Sequence, residues 1–210
     1  MKFTSTEEAH KKHQEEYVSD GVLKGMGTIY SHDHYRARFV LNSVPVGSYL
    51  LDVGCNGGTL AIPLKTERKC YVKAIDIQPV LVEKAKKRGI YAEVGTAEDL
   101  SRFDDNSFDV VICCEVLEHL YDASLAVKEA HRVIRSGGMY IITVPHPLST
   151  NRGLGDYHHK VFTLDELNEL IGNKFGSIAA VDIPYTREYC DKNMIDINRP
   201  QWYGMIGIKG

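Results

Sequence analysis

Leu51-Asp52-Val53-Gly54-Cys55-Asn56-Gly57-Gly58 decides the fold. Residues 49–53 are almost wholly apolar, of strand length, and stop at a glycine cluster that leads into a short helical stretch disturbed by Pro63. Glycines there let the backbone turn sharply at a strand's carboxyl end. Outward from this stretch the same alternation repeats. Residues 71–75 form the next strand, and Pro79 opens a helix that Gly89 closes. Residues 91–94 are a third strand. Asp104-Asp105-Asn106 is turn chemistry, and residues 108–113 are a fourth, fully apolar strand. Asp122 caps a helix with Leu125, Ala126, Ala130, Val133 and Ile134 on one face, ended by Gly137-Gly138 before a fifth strand at 139–144. Apolar strands alternating with helices are buried on both faces, which means a parallel sheet.

Past residue 145 the pattern changes. A loop rich in His and Gly runs to Lys160, and Thr163-Leu164-Asp165-Glu166 is a capping box for a short helix. Residues 177–183 and 202–208 are two final strands that could pair as a hairpin on the sheet's edge. The expected fold is α/β: a doubly wound, mostly parallel, seven-stranded sheet with helices on both faces and an antiparallel C-terminal edge strand. Residues 6–17 and 32–42 read as helices before it, Glu7/Lys11 being one of several i,i+4 pairs. The expected division is a helical lid segment at 1–45 and one domain at 46–210, since 210 residues suit a single core.

Open α/β sheets bind ligands at the carboxyl ends of their strands. The glycine turn lies there. So does Asp76, 22 residues beyond Gly54, where a carboxylate can accept both hydroxyls of a ribose. A glycine loop plus an acid is also the dinucleotide fingerprint, so a nicotinamide-dependent oxidoreductase stays open. A pyrophosphate binder, however, wants G-x-G-x-x-G with helix amides facing negative charge. This run is D-x-G-x-N-x-G, and Asp52 at its head suits a cofactor bearing an ammonium and a sulfonium, as S-adenosylmethionine does.

Four blocks together resemble the class I S-adenosylmethionine-dependent methyltransferases: LDVGCNGG (51–58), AIDI (74–77), GTAEDL with FDVVICCEVLEHL (95–120), and RVIRSGGMYIITVP (132–145). EVLEHL and HHKVFTLDEL (158–167) look like the ubiquinone-biosynthesis and sugar- or natural-product-modifying O-methyltransferases. The resemblance implies that Gly54, Cys55 and Gly58 shape the loop at the methionine part, and that Asp52 orders it or meets the amino group. It implies that Asp76 takes the ribose, that Ile77, Ala97 and Glu98 attend the adenine, and that the backbone at Cys113 and Cys114 faces the amino group. Asn56 replaces a usual glycine but tolerates left-handed backbone. Thr96 replaces an acid that often reaches adenine, which puts that contact in doubt.

Methyl transfer from a sulfonium needs an aligned acceptor and a dry site. An acceptor hydroxyl must also lose a proton. Glu115, Glu118 and His119 follow the fourth strand and, as a helical turn, would share a face. His119 is the first candidate for the base, with Glu118 and Glu115 beside it; the alternative is that Glu118 and His119 only brace the next loop. A second alternative is a metal held by Glu115, Glu118, His119 and His159, with His158 as the other choice of distal ligand. The small-RNA 2′-O-methyltransferases use an E-x-x-E-H block with a distal His in this way, so a metal-assisted RNA enzyme is a rival reading. His146, Asp156, Tyr157, His158 and His159 are candidates for an acceptor wall, and Tyr30, His32, His34 and Tyr35 for a lid. Tyr185, Tyr189, Trp202 and Tyr203 add aromatic wall or pack the last strands.

A net charge of −3 provides no basic field for nucleic acid, so a polyanionic partner would need a local patch and the expected partner is a small acceptor molecule. None of the five cysteines forms a C-x-x-C pair, which reads as reduced cytosolic cysteine. No apolar run reaches signal-peptide or membrane-spanning length, so a cytoplasmic protein without a membrane partner is expected. Oligomeric state is not legible.

Overall fold

A computed structural model describes residues 5–8, 10–11, 35–149, 158–184, 196 and 199–210. Residues 6–8 and 10–11 are helical. The remainder is α1 (Tyr35–Ser43), β1 (Tyr49–Val53), α2 (Ala61–Thr66), β2 (Tyr71–Asp76), α3 (Pro79–Lys87), β3 (Tyr91–Val94), β4 (Phe108–Cys114), a 3-10 turn (Leu117–His119), α4 (Ala123–Val133), β5 (Ile134–Pro145), α5 (Leu164–Gly172), β6 (Ser177–Pro184) and β7 (Pro200–Ile208). Tyr30, His32, His34, Asp156, Tyr157, Tyr185 and Tyr189 lie outside the described residues, as do residues 12–17 of the first expected helix.

One seven-stranded sheet has the order β3-β2-β1-β4-β5-β7-β6. β1 to β5 pair in parallel, and β7 runs antiparallel to both β5 and β6. The final hairpin sits at that end of the sheet, with β7 inside and β6 outermost. Strand order reverses between β1 and β4, which places the β1 loop and the residues after β4 at one crevice.

Two layers enclose the sheet. On one face α1 and α2 cover Leu50, Val110, Ile112 and Ile141, while α3 covers Ala74 and Ala92. On the other, α4 and α5 cover Leu51, Val53, Ile75, Val111, Cys113, Tyr140 and Ile142. Asp122 caps α4 by accepting the Ser124 amide at 2.9 Å, and Thr163 and Glu166 close the capping box of α5. α4 departs from its expected face. Ala126, Val127, Ala130 and Val133 are buried, and Leu125 is 39% exposed. Val127 lies about 100° round the helix from Ala126 on one side and Leu125 about 100° on the other, and the buried face takes Val127.

Gly137 and Gly138 also act differently from the expectation. α4 ends at Val133 and β5 starts at Ile134, so the glycines lie within the strand. Gly137 takes φ +74°, and a Cβ on Gly138 would stand 2.8 Å from the Asp109 carbonyl oxygen. They let β5 bend past β4, where the register shifts between Phe108 and Val110.

No helix joins β3 to β4. Residues 95–107 are held instead by Arg132, whose guanidinium donates to the carbonyls of Leu100 and Phe103 at 2.8 and 2.9 Å and to Glu129 and Asp105. Among the described residues, no helix is long and apolar enough to cross a membrane.

Candidate active site

The β1 loop is tied to β2 through backbone and carboxylate. Gly54 and Cys55 amides both donate to the Ile75 carbonyl, at 2.9 and 3.0 Å. The Asp76 carboxylate accepts the Asn56 amide on one oxygen at 2.8 Å and the Gln78 amide on the other at 2.9 Å. Each oxygen keeps further lone-pair capacity. Asn56 takes left-handed backbone at φ 43°, so the turn survives without a glycine there. Gly54 has φ +77°, and a Cβ on it would stand 2.3 Å from the Val116 side chain. That glycine therefore also admits the segment after β4, a packing reason the sequence does not display.

Asp52 and Asp76 are buried together. Burial and then the neighbouring Asp76 push the Asp52 carboxyl up from 3.8 to about 7, and burial also raises Asp76, against the amides of Gln78 and Asn56. Asp52 Oδ2 and Asn56 Oδ1 have no hydrogen-bond partner among the described residues. Buried acceptors left unpaired are costly, about 1–3 kcal/mol each, so this pocket is complementary to a ligand rich in donors and carrying positive charge. Burial pushes the Cys55 and Cys113 thiols far up and that of Cys114 to about 12, which disfavours the nucleophilic thiolate.

Ile77 is half-buried after β2, and Ala97 is buried in the loop that follows Gly95, whose amide donates to the Asp76 carbonyl. Glu98 faces the N-terminal segment. Its carboxylate lies 2.6 Å from His10 Nε2 and accepts the Thr6 hydroxyl and the Asp122 amide, each at 3.3 Å. His10 Nε2 also lies 3.1 Å from the Thr96 hydroxyl. No sequence pattern marks His10 or Thr6, because their partner lies 88 and 92 residues away.

Beyond β4 the three candidate acid–base groups part company. Only Leu117–His119 is a 3-10 turn, and Glu115 has left-handed backbone at φ 57°, so the three do not share a helical face. Glu115 turns toward β5 and β7: it accepts Trp202 Nε1 at 2.9 Å and the Thr143 hydroxyl at 3.3 Å, and it pairs with Arg36 at 3.4 Å. Arg36, buried on α1, also lies over the Trp202 ring. A buried arginine on a helix is not readable from spacing, and sequence reasoning missed it. Glu118 and His119 instead meet His158. The His119 and His158 rings are 4.8 Å apart, and His119 Nε2 is 3.9 Å from Glu118 Oε1.

Among the described residues, the ligand atoms of Glu118, His119 and His158 lie within 4.8 Å of one another, a spacing near that of a divalent-cation site. Of the expected metal set, Glu118 and His119 come together with His158, the other choice of distal ligand. Glu115 is engaged elsewhere, and His159 contributes its backbone amide to the Glu118 carbonyl at 2.8 Å. His146 is set apart, at the end of β5. Its ring accepts the Leu148 amide at 2.9 Å and lies against Tyr203, and burial pushes its pKa down against the opposing pull of Asp182.

A methyltransferase-domain family matches residues 51–142, from β1 into β5. The chain is 33% identical over 117 residues to a ubiquinone biosynthesis O-methyltransferase of Xanthomonas oryzae pv. oryzae, a match covering 53% of this chain and 47% of that protein. It spans about half the length of the relatives of that name. A Thermotoga maritima S-adenosylmethionine-dependent methyltransferase, described as a possible histamine N-methyltransferase, superposes with a TM-score of 0.69 at 19% identity over 96% of this chain and 99% of that one. Phosphoethanolamine N-methyltransferase 2 of Haemonchus contortus, solved with S-adenosylmethionine, gives 0.72 at 14% identity over 94% of this chain and 60% of that one.

Proposed function

We propose that the chain is a class I S-adenosylmethionine-dependent methyltransferase that methylates an oxygen of a small hydroxylated molecule or sugar. The cofactor is S-adenosylmethionine, which supplies an electrophilic methyl group on a sulfonium. Its donors and charge suit the acceptor-rich pocket: Asp76 would hold the ribose hydroxyls, and Asp52 with the Gly54 to Gly58 loop would face the amino-acid part. Ile77 and Ala97 would flank the adenine, Glu98 would order that end through His10, and the Cys114 backbone would border the loop.

The observation that carries the reading is the group of Glu118, His119 and His158 after β4, at the sheet's crevice. His119 takes the acceptor proton, His158 steadies its ring, and buried Glu118 favours its charged form. His146 and His159 would border the acceptor. Residues 1–45 act as the lid, joined to the domain through His10 and Arg36. The four described cysteines are free, which supports a cytoplasmic location.

A panel of phenols, sugars and amines, read by release of S-adenosylhomocysteine, tests this. Turnover with a hydroxylated acceptor is expected, with His119→Gln lowering kcat by about 100-fold or more at unchanged cofactor affinity. Turnover of amines alone would contradict it.

The mutual spacing of Glu118, His119 and His158 favours a second reading, in which they hold a divalent cation that orients the acceptor. Metal retained by the purified protein, lost in His158→Ala, with activity lost on chelation and restored by metal, would select it over a free base.

A further inference from the structure

Parallel strands in a doubly wound sheet are normally covered on both faces. Among the described residues, one face is bare at the amino ends of β1, β2 and β3, the end of those strands opposite the glycine loop. Arg132 holds the β3 to β4 connection as an irregular segment, so no helix covers that corner. Tyr49, Tyr71 and Tyr91, the first residues of the three strands, are 56%, 63% and 60% exposed. Tyr49 pairs in register with Tyr71, and their rings stack at 4.8 Å and 17°. Lys73, two residues on from Tyr71 and therefore on the same face, pairs in register with Tyr91. Its ammonium lies 5.9 Å from the Tyr91 ring centre and 5.7 Å from that of Phe103. Among the described residues no carboxylate pairs with it.

These side chains line a hollow of about 540 Å³. Lys65 and Arg102 add two cations to its rim, and Asp104 is the acid there. Lys65 donates to the Gly89 carbonyl, and Arg102 to that of Val94. Glu93 nearby is already engaged by Arg102 and the Tyr91 hydroxyl. The surface thus joins an aromatic step to a cation that no described carboxylate pairs with, in a chain whose net charge is negative.

We propose that this face binds a planar base carrying a phosphate, either as a free nucleotide or within single-stranded nucleic acid. The base stacks on the Tyr71 ring beside Tyr49, and the phosphate pairs with Lys73. Base stacking on exposed aromatics, with cations following the phosphates, is how sequence-tolerant single-strand binders work. The inference rests on nothing in the active site.

The test uses the full chain saturated with S-adenosylhomocysteine, so that the cofactor pocket is filled. Uridine monophosphate is titrated by calorimetry and a labelled ten-residue oligouridylate by anisotropy. Binding is expected, weakened about tenfold or more by Tyr71→Ala and by Lys73→Glu, with thermal stability and S-adenosylhomocysteine affinity unchanged. Tighter, salt-dependent binding of the oligomer identifies a strand as the source, and equal affinity identifies the nucleotide. Failure of both probes to bind, or equal binding by wild type and both variants, would overturn the proposal. So would a dimer that Tyr71→Ala dissociates, since a second copy would then cover the face.

Discussion

His10 Nε2 and Glu98 Oε2 lie 2.6 Å apart, joining the helical N-terminal turn to the loop after β3. Glu98 is held there with its side chain 3% exposed, and its other oxygen accepts the amide of Asp122, the cap of α4. One side chain thus links the N-terminal segment, the loop after β3 and the start of α4.

Breaking that link should loosen the cofactor and leave the chemistry alone. His10→Ala is expected to raise the Kd for S-adenosylmethionine by about three- to tenfold, near the net worth of one ordinary hydrogen bond. kcat at saturating cofactor should hold. Calorimetry beside steady-state kinetics checks this, and a fall in kcat at constant Kd would place His10 in the chemistry.

Asp52 should make cofactor binding depend on pH. Its carboxyl is raised to about 7 in the folded chain, so the folded state holds the proton more tightly than the unfolded one. Its contribution to stability is therefore greatest below the unfolded value near 3.8 and is lost as pH rises toward 7. A cationic ligand favours the charged carboxylate, so binding below pH 7 must expel a proton. Affinity for S-adenosylmethionine is expected to rise from about pH 5 to about pH 7, by up to about tenfold per unit. Calorimetry near pH 6.5 in buffers of different ionisation heat reads the released proton, and Asp52→Asn should abolish it.

The Arg36 and Glu115 pair should matter more for folding than its length suggests. Both side chains are largely buried, at 9% and 13% exposed. Glu115→Gln keeps an acceptor for Trp202 but removes the negative charge that faces Arg36. A loss of about 3 kcal/mol is expected in urea unfolding, and Arg36→Met in the same chain should restore most of it.

Much of this architecture was legible in the chain. Apolar strands at 108–113 and 139–144 need burial on both faces, which set the parallel sheet, and Asp122 and Thr163 announced their helices. The methyltransferase-domain match over residues 51–142 sides with the D-x-G-x-N-x-G reading against the nicotinamide alternative. Local pattern was silent where long-range packing decides. Leu125 faces out because Val127 completes the buried stripe, and the paired glycines belong to a bent strand. Glu115 leaves its neighbours because its backbone is left-handed and Trp202, Arg36 and Thr143 await it. Spacing alone reads E-x-x-E-H as one face; the fold sends its first acid to the far side.

The most direct test is calorimetric binding of S-adenosylhomocysteine to wild type, Asp76→Asn and Asp76→Ala. If Asp76 grips the ribose while its amide bonds to Asn56 and Gln78 hold the loop, Asp76→Ala should weaken binding about 100-fold. Asp76→Asn should fall between, with circular dichroism unchanged. Wild-type affinity in a folded Asp76→Ala chain would contradict the account.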